Sequence, residues 1–246
     1  MSGPASETDP AVTRLTDAVR AALAAAADPE VGVQQQRYMK SAMPYRGLKT
    51  PVLKAALRPL FEQHPLPGRP AWLVAVAELW DAATHREERY AAIALLRDRR
   101  YRGWARQPDE ALLRVIRHLI VSGAWWDYVD QLASHSVGDL LRAHPATMTP
   151  LLRAWASERN LWLRRTAILS QLRSKADTDT ALLTDAIAGS IADPDFFARK
   201  AIGWALREYS KTDAAWVRRF VAEHDLAPLS RREALAWLAA RDAASS

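Results

Sequence analysis

The sequence predicts an all-α fold, a superhelical stack of paired helices. Three observations predict it. From about residue 10 onward apolar residues recur with the helical period, and no stretch alternates as a half-buried strand does. The breaks between periodic segments carry proline and glycine, the residues that stop helices. Finally, a motif recurs. Arg164-Arg165-Thr166-Ala167-Ile168, Arg199-Lys200-Ala201-Ile202 and Arg231-Arg232-Glu233-Ala234-Leu235 each open a helix with paired cations, at spacings of 35 and then 32 residues. Arg89-Tyr90-Ala91-Ala92-Ile93 stands 75 residues before the first of them, close to two such periods. Helix-hairpin repeats near this length stack into an α-solenoid of the HEAT, armadillo or tetratricopeptide kind, and the arginine-led helices are most like HEAT repeats.

Taken in order, residues 1–9 are small and polar and are expected to be disordered. Helices are expected over 11–27 and 31–43, the second stopped by Pro44. A third over 50–63 ends before Pro65 and Pro67-Gly68, and a fourth over 70–82 follows that break. The fifth, 86–100, stops at Arg102-Gly103, and the sixth, 109–121, at Ser122-Gly123. The seventh, 125–143, stops at His144-Pro145. Helices over 148–157, 160–173 and 177–192 lead to Asp193-Pro194. Those over 195–210 and 213–224 precede Ala227-Pro228, and one over 230–241 closes the series before a disordered tail at 243–246. No linker interrupts the series, so 10–242 reads as one domain with a concave, basic groove.

A length of 246 residues suffices for a substantial core. Hydrophobic content of 49% and charged content of 25% are ordinary for a soluble globular chain. The chain has no cysteine, which excludes disulfides and thiolate ligands and fits a reducing compartment. No apolar run is long enough to span a bilayer. The alanine-rich stretch at 21–27 follows Glu7, Asp9 and Asp17, so it reads as helix rather than as a signal core. A net charge of +6 and a pI near 9.8 favour an acidic partner such as nucleic acid.

Two charges sit where the helical pattern does not want them. In Trp125-Trp126-Asp127-Tyr128-Val129-Asp130, a helix drawn at about 100° per residue puts Trp126, Val129, Ala133, Val137, Leu140 and Leu141 on one apolar stripe. Asp130 falls inside that stripe, one turn beyond Trp126, while Asp127 lies off it. Along residues 160–173, Leu161, Trp162, Ile168, Leu169 and Leu172 share a face, and Arg165 sits at its centre while Arg164 points away. A core-facing carboxylate is costly to desolvate unless something pairs with it. Periodicity leaves two readings open: a buried Asp130–Arg165 ion pair, or a site.

Enzyme signatures of other kinds are missing: no glycine-rich phosphate loop, no GxSxG and no HExxH. His64, His85, His118, His135, His144 and His224 are scattered and form no metal spacing, so no metal is expected. His118 reads as a core histidine, and His135, opposite the stripe, as a solvated one. On the helix over 195–210, Ala198, Ile202, Ala205, Leu206 and Tyr209 form the apolar face. Trp204 lies off that face near Phe197 and Ala201, with Lys200 and Arg207 flanking it on the other side. An indole framed by cations suits a nucleic-acid groove. The plainer reading is a tryptophan packed on the next repeat beside solvated cations. The tryptophans at 72, 80, 104, 155, 162, 216 and 237 mostly fall at helical spacing and read as core.

These motifs resemble the DNA alkylation repair family of HEAT-like glycosylases, the AlkD-like proteins. The resemblance runs from about Tyr38 to Arg241, beginning with Arg37-Tyr38-Met39-Lys40 and Gly47-Leu48-Lys49-Thr50-Pro51. It is strongest at the WWDxVD element of residues 125–130, at Trp162-Leu163-Arg164-Arg165, and at Arg199-Lys200-Ala201-Ile202-Gly203-Trp204-Ala205-Leu206-Arg207. It implies that Trp126 and Asp130 are the family's tryptophan and aspartate one turn apart, Arg165 its essential arginine and Trp204 its second cleft tryptophan. Positions matching DNA contacts are Tyr38, Thr50, Arg173 and Arg207. Lys49 stands where the family often has a neutral polar residue and adds a candidate phosphate contact, as Lys200 does beside Trp204. The family excises cationic N3- and N7-alkylated purines without rotating the base into a pocket, unlike the usual base-flipping strategy. The resemblance further implies duplex DNA with alkylated bases as partner, no metal or organic cofactor, a monomer, and a place in the bacterial cytoplasm at the nucleoid.

The chemistry suits these residues. An N3- or N7-alkylated purine already carries positive charge and leaves without a general acid, so the difficulty is the oxocarbenium developing on the sugar. A fixed carboxylate can stabilise that cation and orient water. Two indole faces contribute about 0.5–2 kcal/mol each by cation–π attraction. Arg165 would fix Asp130 or hold a phosphate. The contrasting expectation is a noncatalytic repeat module that binds DNA or protein.

Overall fold

The computed structural model describes residues 9–244. Among them every regular element is helical and none is a strand, so the all-α expectation holds. The disorder expected at residues 1–8 and 245–246 lies outside the described residues. Asp9 caps the first helix with its side chain, and the last helix runs through Ala244, beyond the expected start of the tail. The chain forms two compact units that divide between Ala105 and Arg106, both within the span read as one domain.

The first unit comprises α1 (Pro10–Ala25), α2 (Pro29–Met39), α3 (Thr50–Gln63), α4 (Arg69–Asp81), α5 (Arg86–Leu96) and the short α6 (Arg102–Ala105). Helix α1 buries Val12, Leu15, Val19 and Leu23, the i, i+3/i+4 stripe of an amphipathic helix, and packs on α3 and α4. Helix α5 ends earlier than its periodicity suggests. Asp98 accepts the Arg100 amide at 2.9 Å and starts a tighter turn over Arg99–Tyr101, and α6 begins where a break was expected. The segment between α2 and α3 is held from the start of α5. The fully buried Glu87 carboxylate accepts the backbone N–H groups of Arg46 and Gly47 at 2.9 Å and of Leu48 at 3.2 Å. Three donors on one carboxylate offset the cost of burying its charge.

The second unit comprises α7 (Glu110–Gly123), α8 (Trp126–Gln131), α9 (Gly138–Ala143), α10 (Pro145–Ala156), α11 (Leu161–Leu169), α12 (Thr180–Ala188), α13 (Phe196–Ser210), α14 (Ala214–Glu223) and α15 (Pro228–Ala244). Several helices start one residue later than periodicity alone suggests, because the first residue of the expected span serves as the cap. Asp109, Asn160, Asp195 and Asp213 each accept a backbone N–H of the first turn, satisfying donors that the helix itself leaves orphaned. Asp179 does the same for α12, because residues 175–177 form a separate tight turn. Helix α11 stops at Leu169. There the Gln171 side-chain amide pairs with the backbone of Asp179, donating to its carbonyl at 2.9 Å and accepting its N–H at 2.8 Å.

The helix expected over 125–143 is not uniform. Between α8 and α9 the chain forms a π-helix over Leu132–Val137. A π-helix closes i→i+5 bonds, so it rotates less per residue than an α-helix. In a regular helix Asp130 and Gly138 would lie about 80° apart. The slower rotation removes that offset. Asp130 meets α11 at Arg165, and Gly138 sits so close to the end of α11 that a Cβ on it would lie 2.5 Å from the Ser170 carbonyl oxygen. The expected stripe survives, with Val129, Ala133, Val137, Leu140 and Leu141 buried, and Tyr128 and Leu132 join it.

Candidate active site

Trp125 leaves extended backbone to open α8, whose first and last turns carry Trp126 and Asp130. Asp130 then meets Arg165 from α11 in a two-pronged pair. Arg165 Nε donates to Asp130 Oδ1 at 2.7 Å and Nη2 to Oδ2 at 2.9 Å. The third nitrogen, Nη1, donates to the Phe197 carbonyl on α13 at 2.6 Å. The Arg165 side chain is only 4% exposed and Asp130's is 14%. With every guanidinium nitrogen engaged and buried, Arg165 serves Asp130 and α13 rather than a phosphate. Planar fork geometry is what makes arginine suited to this.

An aromatic cluster walls the pair. Trp125, Trp162 and Phe197 stand 5.2–6.3 Å apart by ring centroids, and the Arg165 guanidinium lies 5.9 Å from the Phe197 ring centre. Trp126 and Trp204 are both partly exposed. Trp204 follows Phe197 by seven positions, two turns along α13, so the two residues share a side of that helix. A cleft of about 200 Å3 lined by Gln171, Leu172, Lys175, Ala205 and Tyr209 includes none of Asp130, Trp126, Arg165 or Trp204.

Burial pushes the Asp130 carboxyl above its ordinary 3.8. The Arg165 hydrogen bond and charge pull it down, the Asp127 charge pushes it up, and the net direction is up. Even a bidentate arginine therefore leaves this anion short of compensation. Taking away the arginine should expose that shortfall. Arg165→Met is expected to destabilise the fold by about 3–5 kcal/mol, by leaving a buried carboxylate unpaired. At about 2–4 °C per kcal/mol this lowers Tm by roughly 10 °C, to be read by thermal melting followed by circular dichroism.

The candidate DNA contacts divide between the units. Tyr38, 78% exposed, with Lys49 and Thr50, also exposed, belongs to the first. In the second, Arg173 is half exposed and bonds His135 Nδ1, with Asp139 at 3.8 Å. Lys200 and Arg207, the candidate DNA contacts flanking Trp204, are both paired with Glu233 of α15, a residue the sequence did not single out for this role. The signal was Gly203: glycine inside a helix is unfavourable and often marks close approach by another backbone. His118, read as a core residue, is exposed, because the buried stripe of α7 is confined to Leu112, Ile116, Leu119 and Ile120. His135 is partly buried and bonded to Arg173 rather than merely solvated. Of the tryptophans read as core, Trp72, Trp80 and Trp155 are buried, whereas 104, 162, 216 and 237 are partly exposed.

Among the described residues no group of three or more His, Cys, Asp or Glu could hold a metal ion, and no helix is long and apolar enough to cross a membrane. No curated protein matches the chain. A solved structure described as a predicted DNA alkylation repair enzyme from Enterococcus faecalis is similar to it. The two share 32% identity over 87% of this chain and 97% of that one, with a TM-score of 0.76. The family model for DNA alkylation repair enzymes matches residues 19–238. The chain belongs to the DNA alkylation repair enzyme family.

Proposed function

We propose that the protein is a DNA glycosylase that hydrolyses the N-glycosidic bond of positively charged alkylpurines, of the 3-methyladenine and 7-methylguanine type, in duplex DNA. One observation carries the reading. Asp130 is a carboxylate under-compensated by its own arginine and held one turn from a partly exposed indole. A cation arriving from outside, the oxocarbenium or the charged lesion, supplies the missing compensation.

In the proposed step the C1′–N9 bond breaks with its electron pair going to the purine, whose positive charge is thereby neutralised. Water oriented by Asp130 adds to C1′ and passes its proton to the Asp130 carboxylate, which returns it to solvent. Trp126 and Trp204 flank the sugar with their π faces, and the base stays outside any pocket. Arg165 is a positioning residue that fixes the carboxylate. Tyr38, Lys49, Thr50, Arg173, Lys200 and Arg207 contact the backbone. A noncatalytic binding module is the second reading. It is favoured by one fact: Arg165 is fully engaged within the protein, as a structural ion pair demands.

The dependence on pH separates the two. A carboxyl raised in the folded state stabilises the fold most when protonated, and that contribution is lost as pH rises through its folded pKa. Catalysis needs the opposite form. Base release from methylated duplex, corrected for spontaneous loss, is therefore expected to rise with pH along an acid limb lying above 3.8. In Arg165→Lys, which keeps the charge but loses the fork, the limb should move further up. A module without catalysis gives no enzymatic release at any pH, and a limb unmoved in Arg165→Lys removes Arg165 from the mechanism.

A further inference from the structure

Lys200 Nζ lies 2.7 Å from Glu233 Oε1, and Arg207 Nη1 donates to Glu233 Oε2 at 2.9 Å. Backbone geometry delivers the carboxylate to this place. Gly203 lies between the two cations on α13. A Cβ there would come within 2.4 Å of the Glu233 Cβ and 3.0 Å of the Ser230 carbonyl oxygen. Ser230 Oγ donates to the Arg199 carbonyl at 2.9 Å and pins the crossing. Helix α15 thus crosses α13 at its glycine, where Glu233 reaches between cations about two turns apart. The Lys200 hydrogen bond, with the charges of Lys200, Arg207 and Arg232, holds the Glu233 carboxyl below its ordinary range despite burial, so it stays ionised. Its side chain is 16% exposed, against 37% for Lys200 and 34% for Arg207. Both cations keep further N–H donors beyond the one each gives to Glu233.

We propose that Glu233 sets the affinity for duplex DNA: it withholds about one positive charge from the backbone while holding the Lys200 and Arg207 donors in place beside Trp204. This rests on the reading of duplex DNA as partner. Sequence-independent affinity scales with the phosphates a protein neutralises. A searching enzyme faces undamaged duplex in large excess, and two unopposed cations here would lengthen every unproductive encounter. Glu233 limits that general attraction.

The test is Glu233→Gln, which keeps the shape and removes the charge. Affinity for an undamaged duplex should rise about five- to ten-fold near 0.1 M salt, and the slope of log K against log salt should steepen by about one unit. Turnover of a lesion duplex in excess undamaged competitor should fall. Arg207→Gln should cost more affinity in the Glu233→Gln background than in the wild type. Unchanged or weaker binding in Glu233→Gln overturns the proposal, as does an Arg207→Gln effect of equal size in both backgrounds. Should Glu233→Gln fail to fold, Glu233→Met, which also removes the charge, must give the same rise or the proposal is lost. Wild-type protein that binds no duplex overturns this inference and the DNA reading together. Wild-type binding with no change in the variants overturns this inference alone.

Discussion

Asp130→Asn is expected to slow base release from a methylated duplex by about 10²–10³-fold while leaving duplex affinity within about twofold. The split follows from where the charge acts. The carboxylate is complementary to positive charge that develops on the sugar only as the bond breaks, so its loss falls on the rate rather than on binding. Asparagine retains the shape and can accept one of the two Arg165 hydrogen bonds that reach this side chain. Its amide N–H2 meets the remaining guanidinium donor, so some loss of stability accompanies the change. Single-turnover release, binding by fluorescence anisotropy and a thermal melt should be measured on the same preparation. Wild-type release rates would remove Asp130 from the chemistry. A variant that unfolds points to the buried ion pair as the whole of its role.

The pairing of Asp130 with Arg165 was legible in the sequence because desolvating a charge is expensive. Opposite charges misplaced on two apolar stripes can each offset the other's burial, and the structure joins them. Helix α3 was legible to the residue, Thr50–Gln63, since prolines close by set both of its limits. What stayed hidden is what depends on other elements. The π-helix over Leu132–Val137 escapes any reading at a fixed rotation per residue, since nothing in Leu-Ala-Ser-His-Ser-Val departs from helical composition. The end of α11 at Leu169 depends on Gln171 reaching Asp179, eight residues away, which periodicity along one helix does not encode. Glu233 required two helices to be known at once. Arg231-Arg232-Glu233 was visible as a repeat motif, but its meeting with Lys200 and Arg207 exists only through the crossing at Gly203. Glu87 is similar: its role is to hold backbone N–H groups some forty positions earlier in the chain.

The identity of the released base tests the mechanism most directly. A neutral base leaves as an anion unless it is protonated on departure, and a positioned general acid supplies about 10²–10⁴-fold of rate. The groups gathered here do not offer one. Arg165 is buried and committed to Asp130 and Phe197, and Asp130 is proposed to act as the anion. The histidine on the same stretch, His135, bonds Arg173. The lesion must then bring its own positive charge. Release of 7-methylguanine and 3-methyladenine is expected from duplexes carrying one lesion each, with the same rates after chelator treatment. Uracil and hypoxanthine in matched duplexes should leave slower by at least the missing general-acid factor, about 10²–10⁴-fold. Because burial raises the Asp130 carboxyl, its protonated form is an internal candidate for such an acid. That alternative has its own signature, since release of a neutral base would then quicken as pH falls, opposite to the limb expected for cationic lesions. Comparable rates for neutral and cationic lesions, or acid-stimulated release of uracil, would mean that Asp130 donates a proton, and the electrostatic account would have to give way to general-acid catalysis.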